Sequence, residues 1–114
     1  MQIRIKREGT ILIVSLAGEL DHHSADAARR KIDGALLANL SKYVIFDFTG
    51  LTFMDSSGIG MLMGRNKNVE TLGGRAWIVC NGTIFKLLNM SGVFKYIKRA
   101  ESVREVTESL RGDA

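Results

Sequence analysis

Tyr43-Val-Ile-Phe-Asp-Phe48 is a short, nearly continuous run of apolar residues, rich in aromatic and β-branched side chains. Such a run is typical of a central strand that is covered on both faces of its sheet. After an intervening loop, residues at helical spacing predict a helix, namely Ile59, Leu62, Met63, Asn66, Val69 and Leu72. Gly73-Gly74 is the expected end of that helix.

The residues before this strand predict a β-hairpin and another helix. The hairpin is indicated by alternating apolar residues, a possible turn and an apolar run, at residues 3–5, 8–9 and 11–14. Between residues 24 and 40, apolar side chains stand at positions 25, 28, 32, 35, 36 and 40, the spacing of one helical face. Asp21 or Ser24 can cap the first turn of this helix.

The residues after the second helix predict two more strands and two more helices. These are a buried strand from Ala76 to Cys80, a short helix from Thr83 to Met90, an edge strand from Phe94 to Ile97 and a last helix marked by Val103, Val106, Thr107 and Leu110. The order is therefore β-β-α-β-α-β-α-β-α. We expect one α/β domain over residues 1–114, with a mixed, mostly parallel sheet, an N-terminal hairpin and about four helices packed against the sheet.

The composition is that of an ordinary globular protein. Of the 114 residues, 46% are hydrophobic and 25% are charged, so a core can form without a disulfide. The one cysteine, Cys80, ends an apolar run and is expected to be a small core residue. The N-terminus lacks the apolar segment of a signal peptide, and no apolar run approaches the ~20 residues of a membrane span. We therefore expect a cytoplasmic protein with no membrane partner.

No motif for catalysis or metal binding is complete. There is no G-x-x-x-x-G-K-[ST] loop, and Gly58-Ile-Gly60 is only a fragment of the dinucleotide-binding pattern. His22 and His23 are sequence neighbours, and neighbours rarely point at one metal ion. The net charge of +4 comes from scattered basic side chains, which do not mark a nucleic-acid surface. We expect no enzymatic activity, no catalytic residues, no cofactor, no metal site and no nucleic-acid partner.

The segment Phe53-Met-Asp-Ser-Ser-Gly-Ile-Gly60 lies between the central strand and its helix. This is the edge of an α/β sheet at which ligands bind. One of Asp55, Ser56 and Ser57 is expected to cap the helix. The two hydroxyls also stand where free backbone N–H groups and the helix dipole favour a phosphate.

The same segment carries two more features that a cap does not need. Gly58, Gly60 and Gly64 leave bare backbone in a helix, at up to ~1 kcal/mol each relative to alanine, which indicates close approach by the sheet or by another protein. Phe53 and Met54 place large apolar groups before the helix. One of the two can pack against the helix start, and the other can be exposed for a partner.

Two motifs identify a resemblance to a known family. Gly18-Glu-Leu-Asp-His-His23, and Phe53-Met-Asp-Ser-Ser-Gly58 followed by Gly60 and Gly64-Arg65, resemble the STAS-domain anti-sigma factor antagonists of the stage II sporulation protein AA type. Asn89-Met-Ser-Gly-Val-Phe94 resembles a later motif of that family, so the resemblance covers nearly the whole chain. The family often carries a proline near the turn before its third helix, and Cys80-Asn-Gly-Thr83 has none.

The resemblance implies regulation by partner switching. An unphosphorylated antagonist of this family binds a serine kinase that is also an anti-sigma factor, with its bound nucleotide, and so releases the sigma factor. The kinase phosphorylates the first serine of the Asp-Ser-Ser-Gly motif, here Ser56 with Ser57 as runner-up, and a metal-dependent serine phosphatase restores binding. The expected partner-binding residues are Asp21, His22, His23, Met54, Asp55, Ser56, Ser57, Gly58 and Gly60.

Two other functions stay open at this point. The domain could be a STAS module of a stress-signalling or transport-accessory system, with a different partner on the same fold. It could instead be a nucleotide-binding domain or weak NTPase, although no phosphate loop supports this. Radiolabelled ATP separates the classes, because an antagonist gains label only with its kinase, whereas an NTPase hydrolyses ATP alone.

Overall fold

The computed structural model describes residues 1–39 and 41–112. Its elements are β1 (Gln2–Glu8), β2 (Ile11–Leu20), α1 (His22–Asn39), β3 (Tyr43–Met54), α2 (Ser56–Thr71), β4 (Arg75–Val79), α3 (Gly82–Ser91), a 3₁₀ turn (Val93–Lys95), β5 (Lys98–Ala100) and α4 (Val103–Gly112). The predicted order of strands and helices is confirmed. Position 40, the predicted end of the first helix, lies outside the described residues.

One mixed sheet organises the fold, with the strand order β1-β2-β3-β4-β5. β1 and β2 pair antiparallel through a turn at Gly9, whose φ of 62° is easy for glycine, and the other neighbouring strands pair parallel. The predicted α/β class and N-terminal hairpin are therefore confirmed.

The central strand β3 is covered on both faces, as its apolar run predicts. Val44 and Phe46 pack into a core with α1, α2 and α3, whereas Ile45 packs on the opposite face with Val106 of α4. All three strand residues are fully buried. Burying a side chain of this size stabilises a fold by about 1.5–3 kcal/mol, so the two cores together hold β3 at the centre of the sheet.

β3 is longer than the apolar run that predicts it. The residues after Phe48 were expected to form a loop, but the strand continues to Met54. Gly50 makes this possible, because a Cβ atom there would lie 2.9 Å from Cβ of Ala17 on β2. The two parallel strands consequently end side by side, with Leu20 opposite Met54.

The edge strand lies further along the chain than predicted. Phe94 to Ile97 was expected to be a strand, and this is wrong. The backbone N–H groups of Tyr96 and Ile97 both donate to the carbonyl oxygen of Val93 at 3.0 Å, so they are used within a 3₁₀ turn. The strand that pairs with β4 is Lys98–Ala100.

Candidate functional site

The candidate site lies where β2 and β3 end and α1 and α2 begin. Leu20 and Met54 are partners in the parallel register, and the N–H of Asp55 donates to the carbonyl oxygen of Leu20 at 3.3 Å. The segment from Asp21 to His23 therefore lies beside the loop that carries Ser56. This proximity is what the α/β order predicts for two strand ends on one sheet edge.

Asp55 is the N-cap of α2. Its Oδ1 accepts hydrogen bonds from the N–H groups of Ser57 at 2.9 Å and Gly58 at 3.2 Å. Its Oδ2 accepts a third, from the N–H of His22 at 3.1 Å, at the start of α1. Of the three cap candidates, the carboxylate fills the role and serves two helices at once.

Asp21 caps α1. Its Oδ1 accepts from the N–H groups of His23 and Ser24, each at 3.0 Å, and the Ser24 hydroxyl accepts in return from the N–H of Asp21. The hydrogen bond from the Ser24 backbone is the main reason that the pKa of Asp21 lies below its ordinary value. Asp21 thus has a structural role, and its contact with a partner stays a prediction.

The two serines differ in exposure. Ser56 is the first residue of α2 and is exposed, whereas Ser57 is half-buried. Within residues 1–39 and 41–112, the Ser56 hydroxyl has no hydrogen-bond partner. Ser57 faces a groove of about 330 Å³ between α1 and α2, lined by His22, Ala25, Asp26, Arg29, Ser57, Gly60, Met61 and Arg65.

The N–H groups of Ser57, Gly58 and Ile59 at the entrance of α2 are not free, which corrects one expectation. Ser57 and Gly58 donate to the Asp55 side chain, and the N–H of Ile59 donates to the Asp55 carbonyl at 3.2 Å. A phosphate on Ser56 would therefore find these donors already occupied. Only displacement of Asp55 would make the N–H groups of Ser57 and Gly58 available to it.

Two expected surface residues lie beneath the surface. Met54 is only 5% exposed, because its position opposite Leu20 turns its side chain into the core. Gly58 is buried too, and a Cβ there would lie 2.9 Å from Cγ of Leu20. Phe53, one position earlier in the strand, is 48% exposed. The end of β3 does not alternate strictly, since Leu51 and Met54 are buried while Thr52 and Phe53 are exposed, so a period of two in the sequence would not have chosen Phe53.

Gly60 leaves bare backbone on the surface, and its contact with a partner stays a prediction. It is exposed, it stands one turn after Ser56, and no atom lies within 4 Å of a Cβ built there. His22 and His23 are exposed as well. Phe53, three positions before Ser56, is exposed too, so accessible residues lie on both sides of Ser56 in the chain and at the adjoining entrance of α1.

Arg65, which the sequence marks only as part of the Gly64-Arg65 motif, lies between α1 and α2. Its Nε is 2.8 Å from Oδ1 of Asp33, and its side chain is 10% exposed. The contact is an ion pair without hydrogen-bond geometry, because Nε and Nη1 are both buried without a hydrogen-bond partner among the described residues. Burial lowers the pKa of Arg65 from its ordinary value, against the opposing effect of Asp33. Arg65 therefore lines the groove beside Ser57, with its charge balanced by Asp33, which is not among the lining residues.

Two further features of the described residues bear on function. In residues 1–39 and 41–112, no group of three or more His, Cys, Asp and Glu side chains is placed to hold a metal ion. None of the helices there combines the length and the apolar character that crossing a membrane requires.

Comparison with known proteins gives consistent results. A family model described as the STAS domain matches residues 2–106. An anti-sigma F factor antagonist of Paenibacillus polymyxa is 40% identical over 97 residues, which cover 83% of this chain and 82% of the relative. The structure of the anti-sigma factor antagonist SpoIIAA in its unphosphorylated form matches with a TM-score of 0.78 at 28% identity, covering 97% of this chain and 99% of that one. The phosphorylated form of the Bacillus cell fate determinant SpoIIAA matches with a TM-score of 0.75 at 29% identity, covering 96% and 99%.

Proposed function

Because the chain belongs to the STAS domain family, we propose that it is an anti-sigma factor antagonist switched by phosphorylation of Ser56. In this proposal the unphosphorylated protein acts by binding, and its partner is a serine kinase that is also an anti-sigma factor. Binding releases the sigma factor, the kinase then phosphorylates Ser56 with its bound ATP, and a metal-dependent serine phosphatase restores the unmodified protein.

One observation carries the choice of Ser56. Its hydroxyl is exposed and unengaged at the first residue of α2, so a kinase can reach it without unfolding the helix. Ser57 is half-buried, and its N–H is held by Asp55. A nucleophilic hydroxyl must reach the γ-phosphate in line, which favours the accessible serine.

The surface around Ser56 supports binding by a protein partner. Phe53 is a large apolar side chain at 48% exposure, and Gly60 leaves the backbone of α2 open for close approach. His22 and His23 lie at the entrance of α1, beside the loop that carries Ser56. An apolar contact with bare backbone and a polar rim is a typical composition for an interface.

The physical effect of a phosphate supports a switch at this place. A phosphoserine adds about −1.5 to −2 charges at neutral pH, and Asp55 stands next to it in the chain. Since the N–H groups of Ser57 and Gly58 are occupied, the phosphate is expected to point into water. Covering it with a partner would then cost several kcal/mol, and each 1.4 kcal/mol is tenfold in affinity.

The test compares Ser56→Ala with Ser57→Ala in the full chain. Both are incubated with radiolabelled ATP and the serine kinase–anti-sigma factor of the same organism, and the phosphoserine is mapped by mass spectrometry. We expect label on wild type and on Ser57→Ala, none on Ser56→Ala, and persistent binding of Ser56→Ala to the kinase. Strong labelling of Ser56→Ala would move the acceptor to Ser57. Hydrolysis of ATP by the chain without a kinase would favour the nucleotide-binding alternative.

A further inference from the structure

The Asp55 carboxylate joins two segments that are distant in sequence. Oδ1 binds two N–H groups of its own helix, α2, and Oδ2 binds the N–H of His22, which lies 33 positions earlier. The N–H of Asp55 also donates to Leu20 in the same earlier segment. Asp55 is therefore attached to the end of β2 and the start of α1 by both its backbone and its side chain.

The bond to His22 is more than α1 needs in order to begin. Asp21 already accepts the N–H groups of His23 and Ser24, and its carbonyl accepts that of Ala25. The first N–H of a helix is ordinarily left to water. The consequence of the extra bond is a fixed distance between the start of α1 and Ser56.

We propose that Asp55 is a positioning residue that holds the His22–His23 segment and Ser56 as one preformed surface, which the serine kinase recognises as a unit. This inference rests on the proposed function and adds to it a role that does not depend on Asp55 touching ATP. The partner contacts expected at His22 and His23 then depend on Asp55, which lies in the loop that carries Ser56.

The strength of such an attachment changes when a partner covers it. The His22–Asp55 bond lies in an exposed region, where water competes with it. A hydrogen bond to a charged group contributes more once water is excluded. A surface that is already ordered also spares its partner the free energy of ordering two separate loops. The effect of the bond is therefore expected mainly in complex formation.

Asp55→Asn separates this role from helix capping. The asparagine side-chain oxygen can still accept from Ser57 and Gly58, because Asn is as good an N-cap as Asp. Its amide nitrogen is a donor and cannot accept from the N–H of His22. We expect faster amide exchange at His22, with the exchange at Ser57 and Gly58 little changed. In phosphorylation assays at Ser56 we expect KM for the antagonist to rise roughly tenfold, with kcat nearly constant.

Asp47→Asn is the matched control. Asp47 lies on β3, the strand that precedes Asp55, and accepts locally, from the N–H of Thr49 at 3.1 Å and its hydroxyl at 2.7 Å, but it touches neither α1 nor α2 among these contacts. This variant is expected to leave His22 exchange and KM unchanged.

The outcomes separate this inference from the proposed function. Unchanged amide exchange at His22 in Asp55→Asn overturns the inference without reference to any kinase. Faster exchange with an unchanged KM overturns it too, because the kinase would then not read the two segments together. A wild-type chain that gains no label on Ser56 contradicts the proposed function, and with it the recognition step that is inferred here.

Discussion

The entrances of α2 and α3 occupy equivalent places but are built differently. Each follows a parallel strand at the same sheet edge, and each N-cap residue has extended backbone, with φ of −114° at Asp55 and −149° at Asn81. Asp55 accepts three N–H groups from two helices, whereas the Asn81 side chain makes no capping hydrogen bond. Only the α2 entrance is attached to a neighbouring helix entrance through its cap.

The α3 entrance is held from another direction. Nη2 of Arg99 donates to the carbonyl oxygen of Cys80 at 3.2 Å, and the guanidinium lies over the ring of Phe85 at 4.5 Å. These contacts hold the base of the loop, whose polar tip is exposed from Asn81 to Thr83. A helix entrance at this sheet edge is therefore not by itself a functional site. The α2 entrance differs from the α3 entrance because hydrogen bonds to a neighbouring helix hold the residues around an exposed side chain in place.

The largest expected effect comes from separating α2 from β2. Gly58→Ala places a Cβ 2.9 Å from Cγ of Leu20 and 3.1 Å from its carbonyl oxygen, so the helix or the strand must shift. We expect a loss of about 1–3 kcal/mol in the free energy of unfolding, measured by urea denaturation. Gly60→Ala is the control, and with open space at its Cβ it should stabilise the helix by up to ~1 kcal/mol. Equal destabilisation by both variants would contradict the close packing of Gly58.

The sequence predicts most of this fold because the positions of its apolar residues indicate which side chains are buried. The apolar run at residues 43–48 marks the doubly covered strand, and the spacing between Ile59 and Val69 marks α2. Two boundaries fail where a pattern cannot show geometry. A loop is expected after the apolar run, but the strand continues through Gly50, which close contact between β2 and β3 requires. The predicted edge strand from Phe94 to Ile97 fails because the Val93 carbonyl accepts two hydrogen bonds within a turn, which the spacing of apolar residues does not indicate.

The sequence predicts which residues form the site better than it predicts what each of them does. The motif around Ser56 and the strand order bring the two loops together. The exposure of Phe53 instead of Met54 depends on a register that the shorter predicted strand does not define. The second function of Asp55 depends on His22, and a contact across 33 positions leaves no local trace in a single sequence.

A smaller effect should separate the two caps directly. Asp55→Ala removes an acceptor for three N–H groups and is expected to cost about 1–2 kcal/mol of unfolding free energy. Asn81→Ala removes a side chain with no capping bond, so we expect a change within a few tenths of a kcal/mol. Urea unfolding of both variants at neutral pH is the measurement. A loss at Asn81 as large as that at Asp55 would show that the two entrances are equivalent after all.

The smallest expected effect is the pH dependence of the α1 cap, which adjoins the Asp55 attachment. The pKa of Asp21 lies below its ordinary value of 3.8, chiefly because of the hydrogen bond from the Ser24 backbone. A carboxyl whose pKa is lower in the folded state stabilises the fold above its unfolded value, and the contribution is lost as the pH falls through the folded value. Asp21→Asn keeps a good cap and removes only the charge, so its urea midpoint should lie slightly below that of wild type at neutral pH. The two midpoints should converge as the pH falls below 3.8.

Asn81→Ala is the control for this pH dependence. It involves no ionisable cap and should show the same offset from wild type at every pH. A difference between Asp21→Asn and wild type that persists in acid would assign the effect to side-chain shape instead of charge.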